Sequence, residues 1–421
     1  MREIRIPLNV NLARMLLADW FIRLGREAGM PFEQYGAGGE TFMIGAANAF
    51  HVKAQFIPGD PFLKFTCSDA AQQSQIDSIA TAAVRRCTAG DLGDIVWHSA
   101  PCATRDFQLT TLGALVERIS NQTRITGWRR LGRSVLLEFS EEVPPGWDPL
   151  AALFAPKTVI GIHVATRAPC AGHFSSHHAH VAVEIAAAIC TFALGRYVSL
   201  PSVPFPSRPE RLVELAQRQV DPAVGTLARK SYSLDIFADF TWPGTIDHFQ
   251  RLRAAFLTFD AAIRQEHDSV ACILYVVVAE CLTTLATSWR GNKLTTRFVR
   301  FFDELMPAEL DQLVAHNNFE AVFGIRRGTR TSKPLRLEML AKIYDYRSGH
   351  LHSGLRPAYH GFAAFDGSDS MRRALFADFA EGAILRYLES PRASLIGHPN
   401  LEPVGANPCN VGVPDAQADP P

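Results

Sequence analysis

Up to about residue 198 the chain alternates between two hydrophobic rhythms. The runs EIRIPLNV, HVKAQF and SVLLEF alternate apolar and polar residues, which suits strands with one buried face, because successive strand side chains point to opposite sides. Between them, residues 12–27, 70–86, 109–120 and 181–194 carry the three- and four-residue spacing of helices. This mixture predicts an α+β domain over residues 1–198. The rhythm then breaks at SLPSVPFPSRPE, residues 199–210, where four prolines in twelve positions can neither continue a helix nor occupy a central strand. That stretch predicts the main inter-domain linker, and residues 211–245, with a helix over 210–220, predict a connecting segment.

From residue 246 the helical period dominates. Phe249, Leu252, Ala255, Phe256 and Phe259 form an apolar stripe, and helices are predicted over 268–288, 293–306, 308–317, 334–352 and 369–389. The succession predicts an all-α bundle over 246–392. Residues 393–421 are rich in Pro and Gly without apolar periodicity and predict a disordered tail.

Composition adds limits. With 421 residues, 47% of them hydrophobic and 20% charged, the chain is long enough for two or three globular domains. Its 42 basic and 42 acidic residues balance, so any nucleic-acid site must be a local patch. The eight cysteines are scattered without a CxxC pair, which predicts free thiols in a reducing cytoplasm. The N-terminal residues carry charges throughout and lack a small-residue cleavage site, unlike a secretory signal. The apolar runs 181–194 and 270–286 are short for a bilayer or hold a central Glu184 or Glu280, so buried helices and no membrane span are expected.

Residues 1–200 contain no dinucleotide fingerprint, Walker loop, nucleophile elbow or HExxH helix. The Gly-rich piece over 35–42 lacks the Lys-Ser/Thr of a phosphate loop and predicts a turn. His173 and His177 stand four apart within PCAGHFSSHHAH, a spacing that suits a metal ligand pair on a helix. Gly and two serines favour a polar loop there instead, capping a helix that starts near His180, and no metal or cofactor is expected.

The chemistry concentrates in YDYRSGHLHSG, residues 344–354. Arg347 offers a permanently charged fork for phosphate oxygens, and His352, five residues on, offers an imidazole that can move a proton near neutral pH. RNA supplies its own nucleophile in the 2′-hydroxyl. Five residues of straight α-helix would place the two positions roughly 140° apart. Gly349 and Ser353-Gly354 therefore suggest that the helix loosens or ends here. His350, three residues from Arg347, is an alternative proton carrier. Glu280, alone in ILYVVVAECLTTL, needs a partner. It either pairs with Arg347 or Arg297 and orients the site, or makes a structural ion pair deep in the bundle. A second basic cluster, Arg326, Arg327, Arg330, Lys333 and Arg336, contains no acid and is read as a patch for RNA backbone.

YDYRSGHLHSG resembles the R-x4-H signature of HEPN domains, most closely their Apea-like branch, in which an aromatic and an acidic residue precede Arg-Ser. The Glu280-bearing run and the segment NKLTTRFVRFF, with Arg297 at the matching arginine, extend the resemblance over about residues 246–392. The resemblance implies a helical bundle that pairs with a second copy, bringing two motifs together into one composite site. It implies metal-independent endoribonuclease activity, with Arg347 on the scissile phosphate and His352 as general acid or base. Ser348 stands where many HEPN domains carry Asn, Asp or His. It further implies a toxin or anti-phage role, in which the N-terminal region responds to an unknown trigger or partner. Other members of the family imply the alternative of a non-catalytic module for dimerisation or RNA binding.

Overall fold

The computed structural model describes residues 2–7, 14–30, 33–38, 41–46, 49–56, 62–67, 73–104, 126–131, 135–140, 158–195, 197–199, 204–206, 247–283, 293–317, 322–323, 334–353 and 367–389. Among them, every strand lies between Arg2 and Pro206, and every element from Asp247 onward is a helix. The helix expected over 109–120, the one over 210–220 and the tail at 393–421 lie outside the described residues.

Strands β1 (Arg2–Pro7), β2 (Glu33–Gly38), β3 (Thr41–Ala46), β4 (Ala49–Phe56) and β5 (Phe62–Cys67) form an antiparallel sheet in the order β1-β5-β4-β3-β2. The Gly-rich piece falls in the β2–β3 hairpin, where Gly38 pairs with Thr41. A second sheet holds β6 (Asp94–Thr104), β7 (Thr126–Leu131), β8 (Val135–Ser140), β9 (Thr158–Ala168), β10 (Val198–Ser199) and β11 (Phe205–Pro206). Its order is β10-β6-β9-β8-β7, with β11 also beside β6. Both sheets are wired alike: a meander ends in a strand that pairs antiparallel with the strand preceding the meander, β5 with β1 and β9 with β6. Each meander is followed by a helix, α2 (Gln73–Thr88) or α3 (His173–Leu194), while α1 (Arg14–Glu27) follows β1.

Among the described residues, two buried clusters pack the elements together. In α2, Ile76, Ile79, Ala80, Ala83 and Cys87 recur at helical spacing and meet Leu17, Trp20 and Phe21 of α1. In the second sheet, Ile160, Ile162 and Val164 of β9 and Ala100 and Cys102 of β6 share one face and pack on α3, whose alanine-rich surface allows close approach. This cluster continues into the C-terminal helices. Phe192 of α3 meets Phe256 and Phe259 edge-on at 5.3 and 5.1 Å. Thr191 donates to Asp260 Oδ1 at 2.7 Å and accepts from the Val198 backbone at 3.1 Å.

Two sequence expectations change here. The 199–210 stretch does not simply separate two bodies. Ser199 and Phe205–Pro206 pair with β6, and the buried core is continuous across the stretch. The prolines permit this because β10 and β11 lie at the sheet margin, where a missing N–H is tolerated. The histidine cluster is also not a loop. Helix α3 begins at His173, because Asp19 of α1 accepts hydrogen bonds from the His173 and Phe174 backbone N–H groups at 3.1 and 3.2 Å. Ser175 folds back onto the Gly172 carbonyl at 3.0 Å. A cap supplied from 154 residues away in sequence is invisible to local pattern reading. Gly172 is needed there, since a Cβ would overlap the Asp19 carboxylate.

The C-terminal helices are α4 (Asp247–Arg264), α5 (Asp268–Leu282), α6 (Leu294–Leu305), α7 (Pro307–His316), α8 (Leu335–Ser353) and α9 (Gly367–Glu389). Leu252, Ala255, Phe256 and Phe259 are buried, as the stripe predicts. Helix α5 stops at Leu282, short of the expected 288, with Thr283 extended beyond it. Pro307 opens α7 where its missing N–H costs nothing. Phe298, Phe302, Tyr344 and Phe379 form the aromatic centre of the bundle, with ring centroids 4.8 to 6.0 Å apart. No helix among the described residues is long and apolar enough to cross a membrane.

Candidate functional site

Helices α5 and α8 bring Glu280 and Arg347 together. On α5, Tyr275, Val276, Ala279 and Leu282 are buried, while Glu280 lies at the edge of that apolar surface. On α8, the two tyrosines of YDYR are core anchors. Tyr344 packs on Phe298 with centroids 5.1 Å apart, and Tyr346 meets Phe376 edge-on at 5.4 Å. Asp345 between them is exposed. Anchoring on both sides fixes the roll of the helix and directs Arg347, three residues after Tyr344, toward Glu280.

The Arg347 guanidinium reaches Glu280 Oε2 through Nη2 at 3.2 Å, with the two side chains 22% and 24% exposed. Tyr344 adds a hydrogen bond to the same carboxylate. Burial pushes the Glu280 carboxyl above its ordinary range, and the Arg347 charge and the two hydrogen bonds oppose that push without cancelling it. Burial and the neighbouring Glu280 charge likewise raise the Tyr344 phenol. Arg347 Nε is buried without a hydrogen-bond partner, as is Nε of Arg297 on α6. Of the two pairings open to Glu280, Arg347 is the partner found; no ion pair among the described residues joins it to Arg297. A guanidinium held by one carboxylate through one amino group keeps further donors for an anion.

The helix does not loosen at Gly349. It continues through Ser353, because packing of its tyrosines outweighs the low helix propensity of one glycine. The backbone positions of 347 and 352 are thus about 140° apart around one continuous helix. Ser348 is half-buried on it. The side chains of His350 and His352 lie outside the described residues, as do Arg326, Arg327, Arg330 and Lys333. Arg336 is described, and its fork is committed to Asp303 at 2.6 Å and Asp311 at 3.0 Å. The reading of Arg336 as a backbone-binding cation therefore gives way to an ion-pair clasp tying α8 to α6 and α7. The run from Arg326 to Arg336 lacks acids, but the fold supplies two from elsewhere.

In the histidine cluster, His180 pairs with Glu184 at 3.4 Å, one turn along α3. No group of three or more metal-ligating side chains gathers among the described residues. The six cysteines whose side chains are described are free thiols. Sequence reasoning passed over Asp19, although LLADWF gives the same signal as Glu280: one acid in an apolar helical run. Comparison with family models gives no match, and a search of curated proteins gives none either.

Proposed function

We propose that the C-terminal helices form an HEPN-type bundle and that the protein is a metal-independent endoribonuclease. The observation that supports this most directly is the Arg347–Glu280 pair. The motif arginine is held through one amino group by an acid from the facing helix, its side chain stays about a fifth exposed, and its buried Nε has no hydrogen-bond partner. In this reading Arg347 binds the scissile phosphate and stabilises the charge that develops on it. His352 takes the proton from the attacking 2′-hydroxyl or supplies one to the leaving 5′-oxygen, leaving a 2′,3′-cyclic phosphate. A continuous α8 sets positions 347 and 352 on different faces, which favours a composite site completed by a second copy. Arg326, Arg327, Arg330 and Lys333 supply backbone contacts, and the strand-bearing region restrains the nuclease until a trigger binds, in a toxin or anti-phage role.

A second reading draws on the same pair. If Glu280 neutralises Arg347 permanently, the bundle serves as a non-catalytic dimerisation or RNA-docking module. Incubation of the purified protein with total RNA and tRNA in EDTA, beside an Arg347→Ala control, separates the two. The nuclease reading requires cleavage with cyclic phosphate ends that the variant lacks. RNA binding or dimerisation without cleavage selects the second reading, and light scattering reports the dimer directly.

A further inference from the structure

Independently of the RNA-directed reading, we propose that Ser99, His163 and Glu138 form a second site, on the second sheet, where Ser99 is a nucleophile that accepts acyl groups from esters. The three residues lie on neighbouring strands β6, β9 and β8. Ser99 stands directly opposite His163, and Glu138 opposite Gly161. Ile160, Ile162 and Val164 of β9 face the core against α3, so Gly161 and His163 belong to the other face of the sheet. There Ser99 Oγ is 2.7 Å from His163 Nδ1, and His163 Nε2 is 3.3 Å from Glu138 Oε2.

The order of partners decides the chemistry. A carboxylate accepts, so Nε2 carries the imidazole proton and Nδ1 turns its lone pair to the Ser99 hydroxyl. Nucleophile, base and orienting acid are then joined in one chain. Gly161 makes this possible. A Cβ at that position would stand 3.0 Å from His163 Nε2 and 3.4 Å from Glu138 Cβ, in the space the Glu138–His163 contact needs. Trp97, two residues before Ser99, and Leu136, opposite His163, are buried on the same face. An apolar acyl group suits those neighbours.

In the proposed step, Ser99 Oγ bonds to the ester carbonyl carbon as its proton passes to Nδ1. The carbon–oxygen bond to the alcohol breaks, and the departing oxygen takes that proton. Water then attacks the acyl-serine, giving a proton to Nδ1, which returns it to Ser99 as the acid leaves. The sum is ester plus water to acid plus alcohol, with no other reactant.

The test uses the full-length folded protein and a fluorophosphonate probe, with the adduct mapped by mass spectrometry. The expected result is one adduct, at Ser99, absent after heat denaturation. His163→Gln should slow labelling by about 100-fold or more, the scale of a lost general base. Site mapping needs only the wild type, so the test survives a Ser99→Ala variant that fails to fold. Hydrolysis of p-nitrophenyl butyrate separates positioning from structure: Glu138→Gln should lower kcat while KM stays within about twofold. An unlabelled Ser99 in folded protein, or an unchanged labelling rate in His163→Gln, overturns the proposal. A raised KM at constant kcat overturns the role given to Glu138.

Discussion

Asp19 and Glu280 are each a single acid in an apolar helical run, and the two halves of the molecule use them differently. Asp19 is wholly buried, and its two oxygens are taken by the backbone N–H groups that open α3. Glu280 remains about a quarter exposed and meets one amino group of a guanidinium whose buried Nε has no hydrogen-bond partner. A buried acid saturated by backbone donors fastens one element to another. A quarter-exposed acid facing an arginine instead makes an ion pair that water can still reach. Burial and the identity of the partner, more than the presence of an acid in an apolar run, separate the two carboxylates.

The contrast can be broken most forcefully at Gly172. Gly172→Ala drives a methyl group into the Asp19 carboxylate and should cost about 3 kcal/mol, as overpacking at a rigid contact does. Urea unfolding followed by circular dichroism measures it, and a loss below about 0.5 kcal/mol, the range of a neutral surface change, would mean that the cap is not tight. Asp19→Ala comes next. It leaves two N–H groups of α3 without acceptors and should cost about 2 kcal/mol.

Titration provides a subtler separation. Burial raises the Asp19 carboxyl from 3.8 to about 7, so the folded state keeps a proton that the unfolded chain has released. Its contribution to stability is therefore complete below 3.8 and is lost as pH rises to about 7. His98 acts in the opposite direction. It is fully buried with neither ring nitrogen hydrogen-bonded, and burial lowers its proton affinity. Stability is lost as pH falls below its ordinary value of 6.5, where the unfolded chain takes up a proton the folded state resists. Melting temperature against pH for Asp19→Asn and His98→Gln should each lack one of these slopes. Parallel curves for both variants and the wild type would remove the two groups from the account.

The smallest stability effect is expected at Glu280→Gln, below about 1 kcal/mol, because water screens a partly exposed pair. A loss as large as that of Asp19→Ala would erase the distinction drawn between the two acids.

Much of this organisation could be read from the sequence. The change of rhythm near residue 246, the stripe through Leu252, Ala255, Phe256 and Phe259, and the need of Glu280 for a partner are all local signals. What escaped depends on distant residues. The start of α3 is set by Asp19, and α8 runs on past Gly349 with its tyrosines buried against α6 and α9. The proline-rich stretch reads as a linker until β6 offers it a margin to pair with. Ser99, Glu138 and His163 are unremarkable singly and meet only through strand register.

The central claim is that Arg347 and His352 act as one unit on one phosphodiester. Single-turnover cleavage of RNA in EDTA by Arg347→Ala, His352→Ala and the double variant tests it most directly. The account predicts that each single change abolishes cleavage without unfolding the protein, that the double variant is no worse than either, and that His350→Ala retains substantial activity. Cleavage by Arg347→Ala at the wild-type rate would contradict it.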